Sequence, residues 1–317
     1  MKKIIFYVFL LVIPAAIAFF GVNFAYKQTN YWKASFHNAE RFNNVPDGIK
    51  LCNIGTSHGC WGFKWEDYPE YNAFNFAVSG QPYFMDLIML KHFENKIEKD
   101  AIVLIPVSFH QIYNYWEESY VQTYHRFLSK NDYPFWNIET YLKTNLFPVI
   151  NNGIRPSFNN ILNDIPEGKV DRFHFEEIWT KWLTEEEMKN LVDEHGAQWF
   201  LNNFNESSYQ KNFDAVCKIV DFCYTHNWKP VFVTVPVYDY FYEAFGEMVP
   251  YIKKGFYKFS ADIAEKYPEI PYWDYSHDEE FSPYIELFMD DDHLNLYGAE
   301  KFTARIIEDL KRADYLK

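Results

Sequence analysis

Five short apolar runs constrain this chain most: Ile49 to Ile54, Ala73 to Val78, Ala101 to Val107, Pro230 to Val235 and Tyr272 to Tyr275. Each has the length of a strand buried on both faces. Segments with helical spacing stand between and after them, at Tyr83 to Phe93, Phe213 to Asn227, Tyr251 to Tyr267 and Leu296 to Leu310. Strands that alternate with helices pair in parallel, because the crossover helix returns the chain to the same end of the sheet. Helices then cover both faces, which is why the strands need no polar side. The pattern predicts an α/β fold with a parallel sheet. At 317 residues, 48% of them hydrophobic, the chain can bury one large core.

The stretch from about residue 110 to 205 breaks that rhythm. It is rich in Trp, Tyr and Asn, lacks a clean strand, and has amphipathic pieces near Phe135 to Leu146 and Glu185 to Leu201. It reads as a mostly helical insertion able to cap a site. At the amino terminus, Lys2 and Lys3 precede an apolar stretch from Ile4 to Tyr26, interrupted only by Pro14, Gly21 and Asn23. A bilayer span needs about 20 such residues. Two leading positives predict a single-pass anchor with its amino terminus cytoplasmic and the remainder extracytoplasmic. Ala16-Ile17-Ala18 also fits a signal-peptidase site, and a cleaved signal exports the domain equally well. The expected organisation is an anchor over 1–26, a linker over 27–47, and a domain over 48–317 that carries the insertion.

The formal charge is −14 and no Lys/Arg run interrupts it. Nucleic-acid binding needs a cationic surface to displace counterions, so that partner class is excluded. Cys52, Cys60, Cys217 and Cys223 form no C-x-x-C pair. They read as four free buried thiols, and no metal or cofactor is expected.

Chemistry concentrates at two distant places. Gly55-Thr56-Ser57-His58-Gly59 follows the first apolar run directly. A strand-to-helix turn there would present Ser57 at the carboxyl edge of the sheet, where open α/β sheets place ligands. A serine hydroxyl needs a base, a group that orients the base, and donors for the developing oxyanion. Asp290-Asp291-Asp292-His293 lies just before the last helix. Asp290 and His293 are three apart, so the carboxylate can fold back on one ring nitrogen and leave the other for Ser57. Plainer readings stand beside these: an ordinary glycine-rich loop for the first, and for the second an acidic helix start or a cation site.

Together the two stretches support a resemblance. Ile54 to His58 resembles the first block of SGNH/GDSL hydrolases, Asn75 to Gln81 the second, and Asp290 to His293 with Leu294-Asn295 and Gly298-Ala299 the last. The resemblance implies a flavodoxin-like three-layer α/β/α sandwich and a Ser57–His293–Asp290 triad. It also implies oxyanion donors from the Ser57 and Gly80 amides. The family's Gly-x-Asn-Asp block is replaced here by Pro106-Val107-Ser108-Phe109-His110, which sets His110 where a donor Asn would stand. His58, Trp61 and Gln81 flank the nucleophile and are candidate substrate contacts. The departure is similar to membrane-anchored branches such as the teichoic-acid D-alanyl transfer and alginate-type O-acetylation proteins. Those imply an envelope polysaccharide or teichoic-acid-like acceptor and a membrane-bound O-acyltransferase partner. A non-catalytic accessory protein on the same fold is the alternative.

Overall fold

The computed structural model describes residues 2–113, 121–164, 183–190, 205–241 and 249–317. Two compact units emerge. One combines Met1–Asn44 with Tyr120–His174, and the other combines Val45–Ser119 with Phe175–Lys317.

The larger unit is built on five parallel strands: β1 (Ile49–Asn53), β2 (Ala73–Asn75), β3 (Ile97–Pro106), β4 (Lys229–Thr234) and β5 (Tyr272–Asp274). Their order is β2-β1-β3-β4-β5, all neighbours parallel. That is the doubly wound flavodoxin-like order, with its reversal between β1 and β3. Every expected strand is present, within a few residues of the apolar run that signalled it. Alternate residues serve opposite faces. Leu51, Ile102, Leu104, Val231 and Val233 join Phe302, Ile306, Ile307 and Leu310 of the last helix in one buried cluster. On the opposite face Cys52 lies near Cys223, and Tyr83 stacks on Phe259 at 6.2 Å. The four cysteines are free and buried, as expected.

The helices, numbered in chain order among the described residues, begin with α1 (Lys2–Tyr26), α2 (Asn30–Asn38), α3 (Ser57–Gly62) and α4 (Tyr83–His92). Short helices α5 (Val121–Tyr124), α6 (Ile138–Tyr141) and α7 (Pro148–Asn152) lead to α8 (Ile154–Asn163). The sheet unit is completed by α9 (Ser208–Thr225), α10 (Val249–Lys266) and α11 (Leu296–Arg312).

The smaller unit corrects one expectation. Residues 27–47 are not a plain linker, because most of them fold as α2 and a following helical turn, Ala39–Asn43. Thr29 caps α2 by accepting from the Trp32 amide. Arg126 is buried over the Trp32 ring, 4.0 Å from its centroid, and pairs with Glu40 at 2.9 Å. The planar guanidinium can stack and donate at once, so one side chain joins the start of the insertion to the supposed linker. Among the described residues, no helix is long and apolar enough to cross a membrane. Part of the expected insertion lies outside the described residues, including the amphipathic piece at 185–201 beyond residue 190. Its described parts contain no strand.

Candidate active site

The site lies where the carboxyl ends of β1 and β3 diverge, and its scaffold starts with two glycines. Gly55 has φ +115°, outside the range that L side chains adopt readily, and this lets the chain leave β1 sharply. At Gly59 a Cβ would stand 2.4 Å from the Ile54 carbonyl, so only glycine lets α3 pack this close to the strand it leaves. The Gly-x-Ser-x-Gly spacing is therefore a packing requirement as well as a chemical motif.

Buried polar side chains then fix the turn. Asn53 and Asn75, on adjacent strands, both donate to the Gly59 carbonyl, at 2.9 and 3.1 Å. Trp65 Nε1 donates to Asn53 Oδ1 at 2.8 Å. From α4, Asp86 Oδ1 accepts from the Gly55 amide at 2.7 Å and from Gln81 Nε2 at 2.6 Å. Burial pushes the Asp86 carboxyl up to about 8 despite these donors. Asp86 was not singled out from sequence. Its only signal was a charged residue on the apolar side of a helix.

Ser57 is the first residue of α3 and is half-buried. Its neighbour His58 is buried, and its Nδ1 lies 2.6 Å from Ser108 Oγ. His58 Nε2 is 3.2 Å from Asp292 Oδ2. The same carboxylate oxygen meets His110 Nε2 at 2.9 Å, and Asp292 Oδ1 meets His293 Nδ1 at 2.7 Å. His293 Nδ1 also contacts Asp290 at 2.9 Å. Three imidazoles from three segments thus converge on Asp292, while Asp290 shares only His293. The His58 ring stands 5.0 Å from that of His293 and 6.0 Å from that of His110, centroid to centroid.

Local hydrogen bonds hold the acidic loop. Asp290 Oδ1 accepts from the His293 amide at 2.7 Å and the Asp292 amide at 3.1 Å. An antiparallel bridge between Phe288 and Leu294 closes the loop. Asn295 then caps α11 by accepting from Gly298 N.

The electrostatics follow from this packing. Burial works to lower the basicity of His293, but the charges of Asp290 and Asp292 outweigh it and hold the imidazolium well above its ordinary value. Burial likewise works to raise Asp292, yet the charge of His293 and donors from all three rings keep it well below the usual carboxylate range. Asp291 is pushed well up by burial and by its two acidic neighbours. Burial lowers His58, outweighing its bond to Asp292.

Several expected roles change in this geometry. His110 places Nε2 2.9 Å from Asp292 Oδ2, so that nitrogen is engaged by the carboxylate. The Gly80 amide donates to Thr56 Oγ1 at 3.1 Å, so an oxyanion there would have to displace that hydroxyl. Gln81 is fully buried and braces Asp86, and Trp61 is buried with its Nε1 on Ser79 Oγ. His58 belongs to the carboxylate network rather than to a substrate surface. The hydrogen bonds described for His293 run to Asp290 and Asp292, and none described reaches Ser57.

No family model matches the chain, and no curated protein matches it. Among solved structures, a Bacteroides fragilis protein described as a "putative acylhydrolase" is similar at TM-score 0.43 and 10% identity. That match covers 90% of this chain and 99% of the other. The chemistry here rests on this chain's own residues.

A cation is the other thing such a cluster could hold. Ligand atoms of His58, Asp292 and His293 lie within 4.8 Å of one another, as do those of Asp290, Asp291 and Asp292. In this arrangement the imidazole nitrogens meet the carboxylate at hydrogen-bond distance.

Proposed function

We propose that this chain is an extracytoplasmic serine acyl-transfer enzyme of SGNH type, acting on an envelope glycan or glycopolymer. The observation that supports it most is the His293 ring gripped by Asp290 and Asp292 next to the turn that carries Ser57. In this reading Ser57 Oγ attacks an acyl carbonyl as His293 accepts its proton. The two carboxylates stabilise the imidazolium that forms. The carbonyl π electrons move onto oxygen, where the first amides of α3 and the Gly80 amide can donate once Thr56 Oγ1 gives way. Collapse expels the alcohol, which takes the proton from His293. A sugar hydroxyl or water then attacks the Ser57 ester and the sequence repeats in reverse. A sugar acceptor makes the enzyme an O-acyltransferase, and water makes it an O-acetylesterase. Anchorage through α1, an envelope polysaccharide or teichoic-acid-like acceptor, and a membrane-bound O-acyltransferase partner are parts of the same proposal.

One observation favours a different nucleophile. Ser108, His58 and Asp292 already form a connected hydroxyl–imidazole–carboxylate chain, at 2.6 and 3.2 Å. Ser108, however, is only 2% exposed, whereas Ser57 is half-buried. A fluorophosphonate probe separates the two. Labelling lost in Ser57→Ala and kept in Ser108→Ala supports the proposal. The reverse moves the nucleophile to Ser108, and no labelling of folded protein by any probe size favours a non-catalytic binding role. A labelled acetyl ester, with and without an oligosaccharide, then distinguishes transfer from hydrolysis by product.

A further inference from the structure

The smaller unit presents apolar side chains where a water-facing surface would carry polar ones. In α8, Ile154, Phe158 and Leu162 are four residues apart and so share a face. They are 66%, 44% and 77% exposed. Ile150 and Leu146, just before α8, are exposed as well. The apolar sector of α8 is wider than its internal packing uses. Ser157 is buried, and Ile161 packs with Val22 against a cluster of Tyr26, Trp32 and Val149. That leaves the adjoining Ile154–Phe158–Leu162 stripe open.

The stripe is attached to α1. The Val149 amide donates to Asn23 Oδ1 at 3.1 Å, and the Phe19 and Phe147 rings stand 5.5 Å apart. α1 has an open apolar seam of its own. Leu10, Ile13, Ile17, Phe20 and Phe24 alternate three and four residues apart, and all are exposed. Two helices packed on one another thus both leave large aliphatic and aromatic groups uncovered.

We propose that α8 is an interfacial membrane helix, with its Ile154–Phe158–Leu162 face immersed in the acyl-chain boundary of the bilayer that α1 enters. This rests on the reading of α1 as an anchor. Length decides between lying in the membrane and crossing it. Ten residues at about 1.5 Å each span about 15 Å, half of a hydrocarbon core of about 30 Å. Such a helix must lie along the interface. Its other faces suit headgroups, since Arg155, Asn159 and Asn163 are exposed. A protein partner is a poorer occupant. Even with Leu146 and Ile150 the stripe offers five side chains, far short of the roughly 20–30 residues a side that a specific interface uses, whereas α1, packed beside α8 through Val22 and Ile161, would bring the bilayer to it. The consequence for function is a fixed height for the smaller unit, set by two points of insertion rather than by a single tether.

The test uses the full chain reconstituted in phosphatidylcholine/phosphatidylglycerol vesicles. Phe158→Cys, Leu162→Cys, Asn159→Cys, Asn163→Cys and Ile17→Cys each receive an environment-sensitive fluorophore, while the four native cysteines stay buried and unlabelled. Labels at 158 and 162 are expected to be quenched several-fold more by nitroxide lipids than by aqueous iodide, and labels at 159 and 163 the reverse. Equal iodide access at all four positions overturns the proposal. Protection of 158 and 162 from both quenchers also overturns it, by showing that protein covers the stripe. The label at 17 separates the two claims. If it is quenched by lipid while 158 is not, α8 alone is misassigned; if it too is reached by iodide, the anchor reading fails first.

Discussion

Replacing Asp86 with Asn should abolish a pH-dependent loss of stability. The carboxyl is completely buried, and its Oδ2 has no hydrogen-bond partner among the described residues. Burial carries it from 3.8 to about 8. The folded state therefore holds a proton there that the unfolded state gives up. Such a group contributes fully below the unfolded value, and its contribution falls as pH rises until the folded value is passed. Each pH unit inside that window costs about 1.4 kcal/mol, so the wild type should lose about 4 kcal/mol between pH 5 and pH 8 from this group alone. In the Asn variant, Oδ1 still accepts from Gly55 N and Gln81 Nε2, while an uncharged amide nitrogen replaces the protonated oxygen. Urea unfolding followed by tryptophan fluorescence, run on both proteins from pH 5 to pH 9, isolates the term, because other titrating groups cancel in the difference. The variant should gain on the wild type with rising pH and level off above about pH 8. A difference that stays flat across that range would mean Asp86 is ionised in the fold.

Asp292→Asn should move the acid limb of the kcat/KM profile to lower pH, because His293 loses one of the two charges that raise it; a limb that stays in place in both this variant and Asp290→Asn would remove His293 as the base. Gly59→Ala should destabilise the sheet unit by at least 1–3 kcal/mol, on the order of an overpacked core, since the new methyl meets the Ile54 carbonyl; wild-type urea midpoints would show that α3 can shift freely. Prolonged EDTA treatment should leave turnover and probe labelling unchanged. Activity lost to EDTA and restored by zinc would mean that His58, Asp292 and His293 hold a cation rather than a proton network.

The sheet was legible because strands buried on both faces are written as unbroken apolar runs, and the chain has little else of that kind. The Asp290–His293 couple was legible because a three-residue spacing is a local geometric fact. What sequence could not supply was the partnership between segments. His58, His110 and Asp292 are far apart in the chain, and nothing in their spacing says that β1, β3 and the loop before α11 deliver them to one point. Asp86 was hidden for a related reason, since its partners are the Gly55 amide and the Gln81 side chain, and neither has a periodic signature. The folded segment at 27–47 was missed because several of its partners are distant in the chain, among them Arg126 and Asp164.

Asp290, Asp291 and Asp292 show why identical residues in a row need not be equivalent. Asp292 faces three imidazoles and stays ionised; Asp291 meets burial and two acidic neighbours and is driven towards the neutral form. Asp290 lies between them, raised by burial although His293 pulls it down. An imidazolium among the three rings balances this acidic loop, and the natural holder is His293, which alone contacts both Asp290 and Asp292 and whose Nδ1 is the closest of the three nitrogens to Asp292, at 2.7 Å. His58, pushed down by burial, is then free to stay neutral and pass a single hydrogen bond between Ser108 and Asp292. On this account the resting site holds His293 charged, and turnover requires it to lose that proton before Ser57 can give up its own. The two carboxylates that make His293 a stronger base are the same groups that keep it occupied at neutral pH, so activity should rise through the alkaline side of the ordinary histidine range rather than its acid side.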